Sequence, residues 1–186
     1  MTWPAQGFER GMVAADAVRG LVELSDGLDE AFFSVAQRTL RSLLGNTELL
    51  ADLPPVDAQT FSRRLLFSDP VNRFGIWVLG WPPGCQTPVH NHHCACAFGV
   101  YRGSIEEILF SVDPGDDAAV ESARWQRHAG YVGGAPVGSG LVHEMLNSAA
   151  DLAVSIHIYA YRPDHHADSI DRCFTATRPP GRPDVR

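Results

Sequence analysis

The stretch Gly84-Cys85-Gln86-Thr87-Pro88-Val89-His90-Asn91-His92-His93-Cys94-Ala95-Cys96 carries more chemistry than any other part of the chain. Proline at 88 pushes the residue before it out of the α region, so the backbone enters the histidines extended. Side chains of an extended segment alternate with period two. His90 and His92 therefore point to one side, where they can grip a single metal ion, and His93 points away. A third histidine follows in Gly140-Leu141-Val142-His143. The expectation is a three-histidine metal site, His90, His92 and His143, inside a small β-barrel.

Short β-type runs lie on both sides of this stretch. They are Arg64–Phe67, Phe74–Leu79, Ala97–Tyr101, Ile105–Phe110, Val120–Arg127, Gly140–Met145 and Leu152–Tyr161. Ser68-Asp69-Pro70, Arg102-Gly103, Asp113-Pro114-Gly115-Asp116 and Asn147-Ser148 supply turns between them. Many short strands at near-regular spacing predict a mainly all-β chain, a sandwich or a barrel. Ahead of them, apolar residues recur at helical spacing from Phe8 to about Asn46, with a break at Ser25-Asp26-Gly27. Gly45-Asn46 is suited to a left-handed cap on the second helix. These helices should cover one end or face of the strands.

The totals exclude several classes. The 186 residues suit one domain. At this length roughly 70% of the unfolded chain's surface can be buried, so a core needs no disulfide. A net charge of -7 argues against a nucleic-acid partner, which would want a basic face. No apolar run approaches a membrane span, and no charged start leads into an apolar leader, so the expected location is cytoplasmic. No obligate protein partner is evident. Cys85, Cys94 and Cys173 read as small buried side chains kept reduced.

Spacing sharpens the site. Gly84, five residues, His90-x-His92, Cys96, six residues and Gly103 resemble the first motif of the cupin superfamily. Gly130-x5-Pro136-x-Gly138 and His143-x3-Asn147 echo the second, with two extra residues between Gly138 and His143. The resemblance implies a cupin-type β-barrel (double-stranded β-helix, jelly roll) with N-terminal helices packed on it. On that basis residues 1–186 form a single cupin domain: 1–50 helical, 60–162 barrel, 178–186 a flexible tail. The usual cupin glutamate ligand falls on Cys96. Three neutral imidazoles leave a divalent ion its full charge and open positions, which favours an anionic ligand such as a thiolate.

Within the cupins the chain resembles the thiol dioxygenases, that is, the cysteine dioxygenase family with its 3-mercaptopropionate relatives. Beside the histidines, the resemblance rests on Ser155-Ile156-His157-Ile158-Tyr159, whose alternation sets Ser155, His157 and Tyr159 on one strand face. It implies Fe(2+) on His90, His92 and His143, and a relay from Ser155 through His157 to Tyr159. It further implies a small thiol and O2 as the partners, both oxygen atoms passing to sulfur, most simply L-cysteine to its sulfinic acid.

Three further residues come with the resemblance. Arg64 stands where the cysteine-specific branch binds the substrate carboxylate, bidentate recognition for which a guanidinium is suited. The alternative is that Arg64 is a surface cation and Arg63 takes the role. Ser62 occupies a place where cysteine-specific relatives often have tyrosine, and Arg172 would meet the carboxylate if the chain follows the mercaptopropionate branch. Cys96 sits near the place where mammalian-type enzymes join a cysteine to the relay tyrosine, so a Cys96–Tyr159 thioether is a further expectation. His93, His128, His165 and His166 read as solvent-exposed, and Trp77 and Trp81 as core. The competing readings are a 3-mercaptopropionate dioxygenase, a metal-binding cupin without oxygenase activity, and a zinc, nickel or manganese cupin.

Overall fold

The computed structural model describes residues 18–24, 30–45, 58–161 and 168–177. The helix α1, Glu30–Leu44, places Phe32, Ala36, Leu40 and Leu43 on one face by their three- and four-residue spacing, and all four are buried. Fifteen residues are marginal as an isolated helix, so packing rather than propensity holds it. Each of the larger side chains contributes roughly 1.5–3 kcal/mol on burial. The helix ends where the Gly45 N–H donates to the Arg41 carbonyl at 3.2 Å. Gly45 is not among the residues with left-handed φ, so it does not form the expected cap, and Asn46 lies outside the described residues. Of the first expected helix, residues 18–22 are helical and its beginning lies outside the described residues, as does the 178–186 tail.

Among the described residues ten strands follow: β1 (Ser62–Ser68), β2 (Gly75–Trp81), β3 (Val89–His92), β4 (Cys96–Arg102), β5 (Ser104–Val112), β6 (Ala118–His128), β7 (Val132–Ala135), β8 (Val142–Leu146), β9 (Ala153–Tyr159) and β10 (Ile170–Thr177). One sheet has the order β1-β2-β9-β4-β7. The other runs β10-β3-β8-β5-β6, and β10 also pairs parallel with β6, so its hydrogen-bonded order returns to its start. The chain is thus mainly β, a cupin-like two-sheet core with helix packed on it.

Apart from β3, the histidine segment already read as extended, two strands lie outside the expected runs. β7 is Val-Gly-Gly-Ala, too glycine-rich to signal a strand. A Cβ on Gly134 would intrude on the Cys96 carbonyl, so glycine is what lets β7 lie against β4 there. β10 mixes charged and apolar residues and is mostly exposed.

The first sheet is covered on both faces, which explains why every residue of β9 is buried. Ile156 and Ile158 face α1 in a core shared with Phe32, Leu40, Ile76 and Val78. Helix and sheet approach closely because Gly99 has no Cβ, which would stand 2.7 Å from Leu44 Cδ1. The opposite face of β9, bearing Ser155, His157 and Tyr159, turns toward the second sheet.

Asn147 fixes the loop leading to the histidine pair. Fully buried, its amide donates to the Trp81 carbonyl at 2.7 Å and the Asp151 carbonyl at 2.8 Å, and its main chain exchanges hydrogen bonds with Gly84 and Cys85. Thr87 and Met145 bond reciprocally, Thr87 N–H to the Met145 carbonyl and Met145 N–H to Thr87 Oγ1. The loop is thereby stitched to β8, which carries His143.

Candidate metal centre and active site

Strand register brings the three imidazoles together. His90 on β3 stands directly opposite His143 on β8, and His92 follows two residues on. One ligand atom from each lies within 4.8 Å of the others. His90 directs Nδ1 to the Pro88 carbonyl at 2.8 Å, and His92 directs Nδ1 to the Ser169 carbonyl at 3.2 Å. A carbonyl only accepts, so both nitrogens are protonated and both Nε2 atoms carry lone pairs. His143 Nδ1 faces Glu107 Oε1 at 3.2 Å, which sets the same tautomer. His92 Nε2 and His143 Nε2 then stand 3.0 Å apart with no proton between them. Two facing lone pairs repel unless a cation lies against both, so the donor set fits a metal ion held by three Nε2 atoms.

Burial keeps His90 and His92 neutral. Desolvation lowers His90 to about 4 and holds His92 well below the ordinary imidazole value. A metal ion therefore displaces no proton from either ring near neutral pH.

Ser155, His157 and Tyr159 also join in one hydrogen-bonded row. Trp81 Nε1 donates to Ser155 Oγ at 2.8 Å, Ser155 Oγ meets His157 Nε2 at 2.8 Å, and His157 Nδ1 meets the Tyr159 hydroxyl at 2.9 Å. Indole can only donate, which gives the row a direction. Ser155 accepts from Trp81 and donates to His157 Nε2, so His157 Nδ1–H donates to Tyr159. The phenolic hydrogen is left for a partner other than His157. Burial, with the charge of Arg63, lowers His157 to about 3, so it stays neutral. Burial pushes the Tyr159 phenol well up.

Cys96 lies directly across the strand pair from Tyr159. Burial, then the charges of Cys94 and Glu107, hold its thiol well above the ordinary range. The three imidazoles, His157, Tyr159 and Cys96 line one cavity of about 40 Å³ together with Trp81, Phe98 and Met145. It has room for a few water-sized groups and for no bulky ligand.

The arginines differ from expectation. Arg64 is exposed and pairs across the strand with Val78, whose side chain belongs to the helix-side core. Arg63 pairs with Leu79, which lines the cavity, and its guanidinium stacks 3.8 Å over Trp77 and 5.7 Å from the Tyr159 ring. It also donates to the Tyr161 hydroxyl. Arg63, not Arg64, is the cation on the inward face, just beyond Tyr159. Arg172 lies within β10; it is exposed and ion-paired with Asp117 at 2.6 Å.

Other residues depart from expectation in smaller ways. Cys94 is buried, Cys85 half-buried and Cys173 exposed, so burial holds for Cys94 alone; all four cysteines are unpaired. His128 is exposed, whereas half-buried His93 packs its ring against Tyr161. His165 and His166 lie outside the described residues. Trp81 is core, as expected, and also a hydrogen-bond donor at the site.

Sequence reasoning missed Glu107, Ser169, Trp81 and Tyr161. For Glu107 a signal existed: Glu106-Glu107 within an apolar strand obliges one carboxylate to face inward. Ser169 acts through its main-chain carbonyl, which no side-chain pattern reveals.

Among solved structures, the chain is similar to a cupin 2 conserved barrel domain protein from Salinispora arenicola (23% identity, TM-score 0.41, covering 59% of this chain and 82% of that one). It is also similar to the cupin domain of Schizosaccharomyces pombe Cnp3 (19% identity, TM-score 0.46, 60% and 68% covered). A third is an RmlC-like cupin family protein with a double-stranded β-helix fold from Methanocaldococcus jannaschii (17% identity, TM-score 0.44, 60% and 90% covered). The family model described as cysteine dioxygenase type I matches residues 14–172, a span holding all three imidazoles and the relay row. The cluster suits the active site of a non-haem metal dioxygenase, and the chain, an enzyme, belongs to the cysteine dioxygenase type I family.

Proposed function

We propose that this enzyme is a ferrous-iron thiol dioxygenase acting on a small thiol that bears a carboxylate, L-cysteine foremost, to give the sulfinic acid. One observation carries the reading: three Nε2 atoms and a directed Ser155–His157–Tyr159 row meet in one small cavity, with a cation just beyond the phenol. His90, His92 and His143 would hold the iron. When bound, iron supplies the activation of dioxygen and the transfer of both its atoms to sulfur.

The chain's own residues do the rest. Arg63 receives the substrate carboxylate, its orientation held by the Trp77 face and the Tyr161 hydroxyl. Trp77 Nε1, buried and without a hydrogen-bond partner among the described residues, is a second donor beside it. Tyr159 offers its hydroxyl hydrogen to the reacting thiol, while His157 and Ser155 keep the phenol from turning away. Leu79, Phe98 and Met145 exclude water. Cys96 and Tyr159 form a thioether: a carbon–sulfur bond replaces S–H and a ring C–H, and the two hydrogens with their electrons pass to dioxygen. We further propose that the two sheets close as a cupin barrel and that residues 1–186 are one domain. Four unpaired cysteines suit a reducing, cytoplasmic setting.

3-Mercaptopropionate is the second reading, because Arg63 would hold its carboxylate equally well. The carboxylate route through Arg172 is disfavoured by that residue's exposure and its pairing with Asp117. A passive metal-binding cupin is disfavoured by the buried relay, which such a protein has no use for. The test is metal analysis of the purified protein, then product mass spectrometry with L-cysteine, 3-mercaptopropionate and cysteamine under labelled dioxygen. Sulfinate carrying two labelled oxygens is expected from a carboxylate thiol. Iron-loaded protein that consumes no oxygen with any of the three would refute the proposal.

A further inference from the structure

Among the described residues, only one of the three imidazoles has a charged group behind its Nδ1. His90 and His92 rest on main-chain carbonyls, whereas His143 Nδ1 faces the carboxylate of Glu107. Both residues of that pair are 4% exposed. The second Glu107 oxygen accepts from Arg127 Nε and Nη2, each at 2.9 Å. The Arg127 guanidinium in turn lies 4.3 Å over the Tyr131 ring, which packs on Phe98 of the cavity wall. Register explains the placement: Glu107 stands opposite Met145, two residues along β8 from His143 and on the same face. Glu106 faces the other way and pairs with Arg124 at 3.0 Å.

A carboxylate buried this deeply is costly unless its oxygens are all engaged, and here both are. A carboxylate behind a metal-facing imidazole fixes the ring's tautomer and raises the basicity of its free nitrogen. It also brings negative charge near the ion without occupying a coordination position. That matters in this chain, because Cys96 stands where a cupin carboxylate ligand is expected.

We propose that Glu107 and Arg127 are positioning residues of the metal centre: Glu107 orients His143 and supplies compensating charge from behind it, and Arg127 clamps that carboxylate in place. The proposal rests on the reading of His90, His92 and His143 as metal ligands. Glu107→Gln keeps size and a hydrogen-bond acceptor but removes the charge. It should weaken Fe(II) binding by roughly 10- to 100-fold and raise the midpoint potential of the bound iron, since the ferric state loses more stabilisation. Arg127→Gln removes a positive charge from the same pair and should shift the potential the opposite way, downward. A packing role would not produce opposite signs.

The measurements are anaerobic Fe(II) competition against a chelator, using the stripped full-length protein, and redox titration of the loaded protein. Glu106→Gln, on the outer face, should change neither. Glu107→Gln with affinity within twofold of the parent and an unshifted potential overturns the proposal. If that variant does not fold, the Arg127→Gln potential decides, and no downward shift overturns it. His143→Ala separates the two readings. Loss of metal there with an unaffected Glu107→Gln removes only this proposal, while retention of metal by His143→Ala removes the ligand assignment itself.

Discussion

Two neighbouring arginines make opposite predictions on the same strand. Arg63 stacks on Trp77 at 3.8 Å and bonds to Tyr161, whereas Arg64 is exposed. A charge-assisted hydrogen bond contributes about 1.5–3 kcal/mol, so losing the guanidinium should raise the Michaelis constant for L-cysteine roughly 10- to 100-fold. The effect must depend on the carboxylate, so cysteamine, which lacks one, should be turned over no worse by the variant than by the parent. Arg63→Met retains most of the stem that packs on Trp77 and is the preferred replacement. Arg64→Met should change neither constant. Oxygen uptake across thiol concentrations reads all of these directly. Equal losses for cysteine and cysteamine would mean that Arg63 is structural, and a loss confined to Arg64→Met would refute the strand phase on which the assignment depends.

Three more outcomes can be checked. His143→Ala should abolish tight iron binding, measured as metal per chain after dialysis. Tyr159→Phe removes the relay hydroxyl whose hydrogen is not taken by His157 and should lower turnover or uncouple oxygen uptake from sulfinate; the sulfinate-to-oxygen ratio reads this, and parental rate with full coupling would leave the phenol structural. The metal-free protein should lose stability in acid. His157 sits at about 3 when folded against 6.5 when unfolded, so the unfolded chain binds the extra proton and stability falls as pH drops below about 6.5. The slope is about 1.4 kcal/mol per pH unit for each such group, ending near pH 3 for His157. Urea midpoints at pH 7, 6 and 5 test it, and a flat series would show that the ring takes up a proton while folded.

What the sequence by itself determined follows from period two. His90-x-His92 and Ser155-x-His157-x-Tyr159 need only an extended backbone to put their members on one side, and both segments are strands. Helix α1 was legible for the matching reason, its apolar spacing.

Tertiary structure decided whatever depended on phase or on partners from another strand. Ser-Arg-Arg-Leu-Leu-Phe does not alternate, so nothing local says which arginine faces inward. Pairing with β2, including the shift between Leu65 and Phe67, sets that choice, because a one-residue slip exchanges the faces. The glutamate behind His143, the carbonyl behind His92 and the indole that directs the relay lie 36, 77 and 74 residues from the groups they meet. Contacts across such separations are made by sheet register, a property of the assembled fold that local pattern does not encode.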